Sequence, residues 1–251
     1  MTVTTPILGI DLDIDKGSFN SEAFAAETLA SWQSLAAVID HTLLKPDATH
    51  DQVVKLCEEV ARYRFACAMV NPIWASTAVN ALTGTGIPVG VVIGFPLGAS
   101  LVSTLHQEAA ALCMLGVREL DMVIPIGLLK SGNNRAVQNA IHITANEAHH
   151  HGALLKVILE TALLSMEEKL RGSELAILAG ADFIKTSTGF AASGATPEDV
   201  ALMRGVAGNR CGVKAAGGIR TLANVKALLE AGATRIGASA SVAIVKELGA
   251  E

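Results

Sequence analysis

Eight short apolar runs, at 37–41, 65–70, 89–95, 119–124, 154–160, 183–186, 212–215 and 234–238, alternate with helical stretches along nearly the whole chain. They are continuous rather than strictly alternating in polarity, as parallel strands covered on both faces are. The stretches between them open with helix-start signals. Thr49-His50-Asp51-Gln52 and Ser165-Met166-Glu167-Glu168 fit the capping box, in which side chain and backbone satisfy each other's orphan groups. Thr196-Pro197-Glu198-Asp199 places proline at the first helical position and acids in the first turn. Eight such units in 251 residues predict a TIM (β/α)8 barrel. A doubly wound open sheet would carry a glycine fingerprint after its first strand, whereas Gly84-Thr85-Gly86 has the wrong spacing and precedes a strand. Residues 1–33 form an N-terminal extension. Within it, 22–33 predicts an extra amphipathic helix closing the bottom of the barrel, and 1–18 a loosely ordered lead. Residues 34–251 then make one catalytic barrel, with no linker to a further domain.

Composition narrows the class. The chain is 51% hydrophobic and 17% charged, which suits a single large core. A net charge of -5 gives no basic surface for nucleic acid. No apolar run is long and clean enough to span a bilayer, and no basic segment precedes an apolar one at the start. Cys57, Cys67, Cys113 and Cys211 lack CxxC spacing, as reduced thiols of a cytoplasmic protein would.

In such barrels the chemistry sits at the C-terminal ends of the strands. Ionisable and polar residues at those ends are Asp40, His41 and Thr42 on the first strand, Cys67 on the second and Asp121 on the fourth. The fifth carries Lys156 and Glu160, the sixth Lys185 and the seventh Lys214. Period-two geometry lets Asp121, Lys185 and Lys214 point inward while their neighbours pack outward. One lysine paired with an acid is as often structural as functional. Three lysines and two aspartates converging are different, because a buried ion network stabilises a fold little better than apolar packing does. Cys67 packs or lines the pocket; His149-His150-His151 closes a helix and reads as solvated.

A lysine with a pKa near 10.4 is neutral about once in a few thousand molecules at pH 7. Amines on adjacent strands approach within roughly 4–6 Å and repel by about 3–4 kcal/mol at an effective dielectric near 20. That repulsion lowers one of them by two to three pKa units, and desolvation acts the same way. The result is a neutral amine able to attack a carbonyl and form a Schiff base. The argument is symmetric between Lys185 and Lys214. Gly189 after the sixth strand, Gly217-Gly218 after the seventh and Gly237-Ala238-Ser239 after the eighth let backbone amides approach an anion. That is the usual phosphate position of this fold, and Arg220 either supports it or caps its loop.

These residues resemble the deoxyribose-phosphate aldolase family, a group of class I aldolases. The likeness is carried by Ile39-Asp40-His41-Thr42-Leu43-Leu44-Lys45-Pro46, Phe95-Pro96-Leu97-Gly98, Glu119-Leu120-Asp121-Met122-Val123 and Leu155-Lys156-Val157-Ile158-Leu159-Glu160-Thr161. It is strongest in Ala181-Asp182-Phe183-Ile184-Lys185-Thr186-Ser187-Thr188-Gly189 and Lys214-Ala215-Ala216-Gly217-Gly218-Ile219-Arg220-Thr221, and runs in order from about residue 35 to 248. The resemblance implies a metal-free, cofactor-free lyase that reversibly cleaves 2-deoxy-D-ribose 5-phosphate to acetaldehyde and D-glyceraldehyde 3-phosphate in deoxynucleoside breakdown. It implies that Lys185 forms the imine, Lys214 depresses its pKa, Asp121 shuttles protons and Asp40 holds the lysines. Thr42, Cys67, Lys156, Thr188, Gly189, Gly217, Gly218, Gly237 and Ser239 would contact substrate. The partner implied is a small phosphosugar, with a homodimer or homotetramer compatible with the family.

The chain departs from some members of that family. It has no terminal tyrosine, its one tyrosine being Tyr63, and it carries Phe190 and Ala240 where some relatives have lysine and serine. Two rival readings stand beside this one: a class I aldolase for another phosphosugar or a keto acid, and a non-catalytic barrel that binds a phosphosugar.

Overall fold

The computed structural model describes residues 19–251. Two short helices, α1 (Ser21–Thr28) and α2 (Trp32–Ala36), precede the repeats. Then follow β1 (Ile39–Leu43), α3 (His50–Tyr63), β2 (Cys67–Val70), α4 (Ala75–Ala81), β3 (Val89–Ile93), α5 (Val102–Met114), β4 (Glu119–Val123), α6 (Ile126–Lys130) and α7 (Asn134–His150). The second half contains β5 (Leu154–Ile158), α8 (Met166–Leu178), β6 (Phe183–Lys185), α9 (Pro197–Ala207), β7 (Gly212–Ala216), α10 (Leu222–Glu230), β8 (Arg235–Ala238) and α11 (Ser241–Glu247). The eight strands are all parallel, pair in sequence order, and close through β8 on β1. The expected TIM barrel is the observed architecture.

The capping signals do what their chemistry requires. Both capping boxes form, Thr49 with Gln52 and Ser165 with Glu168, and the Thr196 hydroxyl accepts from the Asp199 amide ahead of Pro197. The helix expected over 22–33 is two helices instead. Its periodic apolar residues gave no sign of the interruption, but Ser31 is a competent cap, and its Oγ accepts from the Ser34 amide to start α2. α1 packs along α10, and α2 along α11. The loosely ordered lead expected at 1–18 lies outside the described residues. No helix among the described residues is long and apolar enough to cross a membrane.

Pleat alternation sorts side chains into two environments. Ile39, Ala68, Val70, Val91, Ile93, Leu120 and Met122 face the helices and join the main apolar core. Cys67, Met69 and Val92 face inward and form a separate small cluster with Leu44 and Phe95. Met69 fills space beside Gly90, where a Cβ would lie 2.5 Å from its terminal methyl group. The barrel interior is thus apolar at β2 and β3, while β1 contributes the inward carboxylate of Asp40. Across β4–β8 it is charged.

Candidate active site

The charged half of the interior is built by register. Asp121 lies opposite Lys156 across β4–β5, and Lys185 opposite Lys214 across β6–β7. Asp121 is the hub. Its Oδ1 takes Lys156 Nζ at 2.9 Å, and its Oδ2 takes Lys185 Nζ at 2.8 Å and Lys214 Nζ at 2.7 Å. Asp40 holds Lys214 Nζ at 2.5 Å and stands 3.3 Å from Arg235 Nε. Glu119 binds Lys156 at 2.5 Å and Arg235 at 2.7 Å. Asp40, Asp121 and Lys156 are wholly inaccessible to solvent, and Lys214 nearly so.

Four cations therefore meet three carboxylates in one network: Lys156, Lys185, Lys214 and Arg235 against Asp40, Glu119 and Asp121. One positive charge is in excess in a medium that solvates charge poorly, and the network balances when one lysine loses its proton. Lys156 touches three carboxylates and Lys214 two, whereas Lys185 touches Asp121 alone. Burial followed by the repulsion of Lys214 and Lys156 brings the Lys185 ammonium down from 10.5 to about 8, against the pull of Asp121. For Lys156 burial is outweighed by Asp121, Glu119 and Asp40, which hold it well above the ordinary lysine value. Burial likewise opposes ionisation of Asp121 and Asp40, yet the surrounding cations keep both below the usual carboxylate range. The symmetry left by the sequence is broken here, in favour of Lys185. The cause differs in weight from the expected one: burial acts more strongly than the neighbouring lysine.

Of the three lysines, Lys185 alone lines a cavity, of about 350 Å³, at the C-terminal mouth of the barrel. Thr42, Thr188, Gly189, Gly217, Gly218, Gly237 and Ser239 line it too. Cys67 and Lys156 do not. Both sit one layer deeper, Cys67 against Met69 and Val92, Lys156 among carboxylates. Gly189, Gly217 and Gly218 adopt φ values of 89°, 92° and 77°, a region disfavoured for other residues. The amides of Gly189, Gly218 and Ser239 donate to no protein group among the described residues, leaving them available to an anion. Lys45 and Arg220 extend into solvent at the cavity edge. A larger, shallower hollow beside α7, lined by Asn133, Asn139 and His142, contains no buried lysine or carboxylate.

His41 points outward and pairs with Glu59 of α3 at 2.8 Å. His149 of the expected solvated trio binds Asp182 at 2.9 Å. The expected role of Asp40 as a support for the lysines agrees with its position. Glu119 and Arg235 were missed as network members, although period two placed Glu119 on the same face as Asp121. Asp40, Cys67 and Glu119 also lie close enough together to offer metal ligands. Their carboxylates are already engaged by Lys156, Lys214 and Arg235, and burial keeps the Cys67 thiol protonated, so this donor set does not fit a divalent cation.

A closed β/α barrel with a buried lysine that opens to a cavity at its C-terminal mouth is an arrangement suited to amine–carbonyl chemistry. Comparison with known proteins is more specific. The pattern of the DeoC/LacD family aldolases matches residues 34–247, and the chain belongs to that family. It is 52% identical over 213 residues to the deoxyribose-phosphate aldolase of Geobacillus sp. (strain WCH70), covering 85% of this chain and 95% of that one. Identity to the enzyme of the same name from Halalkalibacterium halodurans is 52% over 214 residues, with 85% and 95% covered. Among solved structures, a putative deoxyribose-phosphate aldolase from Coccidioides immitis superposes with a TM-score of 0.84 at 38% identity, covering 92% of this chain and 98% of that one. The tetrameric deoxyribose phosphate aldolase of Aeropyrum pernix superposes with a TM-score of 0.84 at 33% identity, covering 91% and 96%.

Proposed function

We propose that the protein is a deoxyribose-phosphate aldolase, a lyase that reversibly cleaves 2-deoxy-D-ribose 5-phosphate to acetaldehyde and D-glyceraldehyde 3-phosphate. The observation that carries the reading is the set of contacts around Asp121: three lysines on one carboxylate, of which only Lys185 opens to a cavity. The relatives' names and identities support the substrate.

Neutral Lys185 adds to C1 of the open-chain aldehyde, and loss of water with uptake of one proton from solvent gives a protonated imine. The bond that breaks is C2–C3, because only its electron pair can pass into the imine; cleavage of C3–C4 would leave no conjugated enamine. Asp121, directly or through a water, takes the proton from the C3 hydroxyl as C3 becomes the aldehyde carbon of glyceraldehyde 3-phosphate. The enamine is then protonated at C2, and water hydrolyses the imine to release acetaldehyde and regenerate Lys185. Lys156 and Lys214 beside it keep the Asp121 carboxyl well below the usual carboxylate range, so Asp121 is ionised between steps. Since the imine is the electron sink, the cycle calls on no metal. The free amides of Gly189, Gly218 and Ser239 receive the phosphate, with Gly217 and Gly237 shaping the turns around it.

The family match over 34–247 supports reading 34–251 as the catalytic barrel and 1–33 as an extension. The tetramer of the Aeropyrum pernix relative makes a homo-oligomer the assembly to look for. The test of function is turnover of 2-deoxyribose 5-phosphate, followed by coupled detection of glyceraldehyde 3-phosphate. Continuous product formation is expected. Ligand binding without product would favour the non-catalytic reading, and turnover of only a different phosphosugar would favour another class I aldolase.

A further inference from the structure

Glu160 has no part in the chemistry above, yet its placement is costly. It follows β5 with φ 57° and ψ 65°, the left-handed region that a residue with a Cβ seldom enters. Glu160 is 2% exposed and belongs to no ion pair among the described residues. Oε2 accepts from both the amide and the hydroxyl of Thr188, with the amide at 3.2 Å. The Thr188 hydroxyl in turn accepts the Phe190 amide at 3.0 Å. With its proton committed to Glu160, that hydroxyl is no longer a donor for substrate. Thr188 is therefore a turn-former more than a ligand contact. The turn it forms carries Gly189 and Phe190 along the cavity wall, and the Phe190 ring meets Phe95 of the β3 loop edge-to-face at 5.3 Å. Glu160 itself does not line the cavity, and it is not among the charges that set Lys185.

We infer that Glu160 is a positioning residue for substrate recognition: through Thr188 it fixes the 188–190 turn, presenting the Gly189 amide to the substrate's phosphate and the Phe190 ring as a wall. This rests on the proposed function and extends it to a residue outside the cavity. A strained backbone and a buried carboxylate stabilise nothing by themselves, and their joint product is the geometry of one turn.

Comparing two variants separates strain from anchoring, because Glu160→Ala removes the carboxylate and keeps the strained φ whereas Glu160→Gly removes both. Glu160→Gly should fold at least as stably as Glu160→Ala. It should raise KM for 2-deoxyribose 5-phosphate by roughly tenfold or more, the scale expected when a binding group is displaced by about an ångström. Its kcat, its pH inflection and borohydride trapping of acetaldehyde on Lys185 should stay near wild type. Activity on unphosphorylated 2-deoxyribose should change little, so preference for the phosphate ester falls. Glu160→Gln keeps an acceptor oxygen and should recover much of the loss. Thr188→Val should resemble Glu160→Gly, and the double variant should be no worse than either single one. A wild-type KM in Glu160→Gly, or equal loss on both substrates, would overturn the assignment. If Glu160→Gly does not fold, a wild-type KM in Thr188→Val does so. Absence of turnover in the wild-type enzyme would instead defeat the proposed function, so the two failures are distinguishable.

Discussion

Replacing Lys214 with leucine tests how the nucleophile is tuned. Lys185 and Lys214 both touch Asp121 Oδ2, so their nitrogens are separated by no more than the sum of a 2.8 Å and a 2.7 Å contact. Two unit charges at that range repel by about 3 kcal/mol at an effective dielectric of 20, equivalent to about two pKa units. Burial remains after the substitution and is the larger cause, so Lys185 should rise from about 8 by roughly one to two units rather than return fully to 10.5. Asp40 is not orphaned, since Arg235 and Lys156 still face it. The neutral amine is the reactive form, so activity climbs as pH rises through its pKa. In the wild type about one Lys185 in ten is neutral at pH 7; after an upward shift of one to two units that fraction falls about ten- to a hundredfold. The assay is kcat/KM for cleavage between pH 6 and 10.5. The inflection should lie near 8 in the wild type and above 9 in Lys214→Leu, with part of the activity recovered at alkaline pH. An unmoved inflection would mean that Lys214 does not tune the amine, and a downward shift would refute the electrostatic reasoning outright.

Other consequences follow from the same network. Lys185 is held below its unfolded value, so the unfolded chain binds more protons between pH 8 and 10.5, and the folded state carries a penalty that is full below pH 8 and vanishes above 10.5. Lys185→Met should therefore be inactive yet more stable to urea at pH 7, by up to about 3 kcal/mol, with the gain disappearing near pH 10.5. Loss of cooperative unfolding in that variant would make the lysine structural. Asp40 and Asp121 have depressed folded values, so the stability they contribute is present above the unfolded carboxyl pKa near 3.9 and is lost as pH falls below it. Asp121→Asn should flatten the acid limb of the stability curve below pH 4 and cost at least a hundredfold in turnover, since it removes both the proton acceptor and the hub of three lysines. An unchanged acid limb would contradict the depressed value.

The barrel was legible because each signal was local and repeated: apolar runs, caps and helix ends are written within a few residues of each other. The site was legible in part because β-strand geometry converts sequence parity into facing. Asp121, Lys156, Lys185 and Lys214 all fall on inward positions. Register across strands is not local, and it decides which inward residue reaches solvent. The resemblance implied substrate contacts for Cys67 and Lys156, but Cys67 opens β2 and Lys156 stands in mid-β5, and neither lines the cavity. Arg235 was passed over because it stands at the start of β8, and only the shear of a closed barrel brings that level beside Asp40 and Glu119. Repulsion between lysines could be estimated from strand spacing alone, whereas burial, the larger cause, depends on how the interior packs. Glu160 was visible as a polar strand end, but nothing in its neighbours announced a left-handed backbone.

Borohydride reduction in the presence of 2-deoxyribose 5-phosphate, followed by peptide mapping, measures the central claim directly. The account predicts one adduct, on Lys185, formed faster as pH rises through about 8. An adduct on Lys214 or Lys156, or no adduct in an enzyme that turns over, would contradict it.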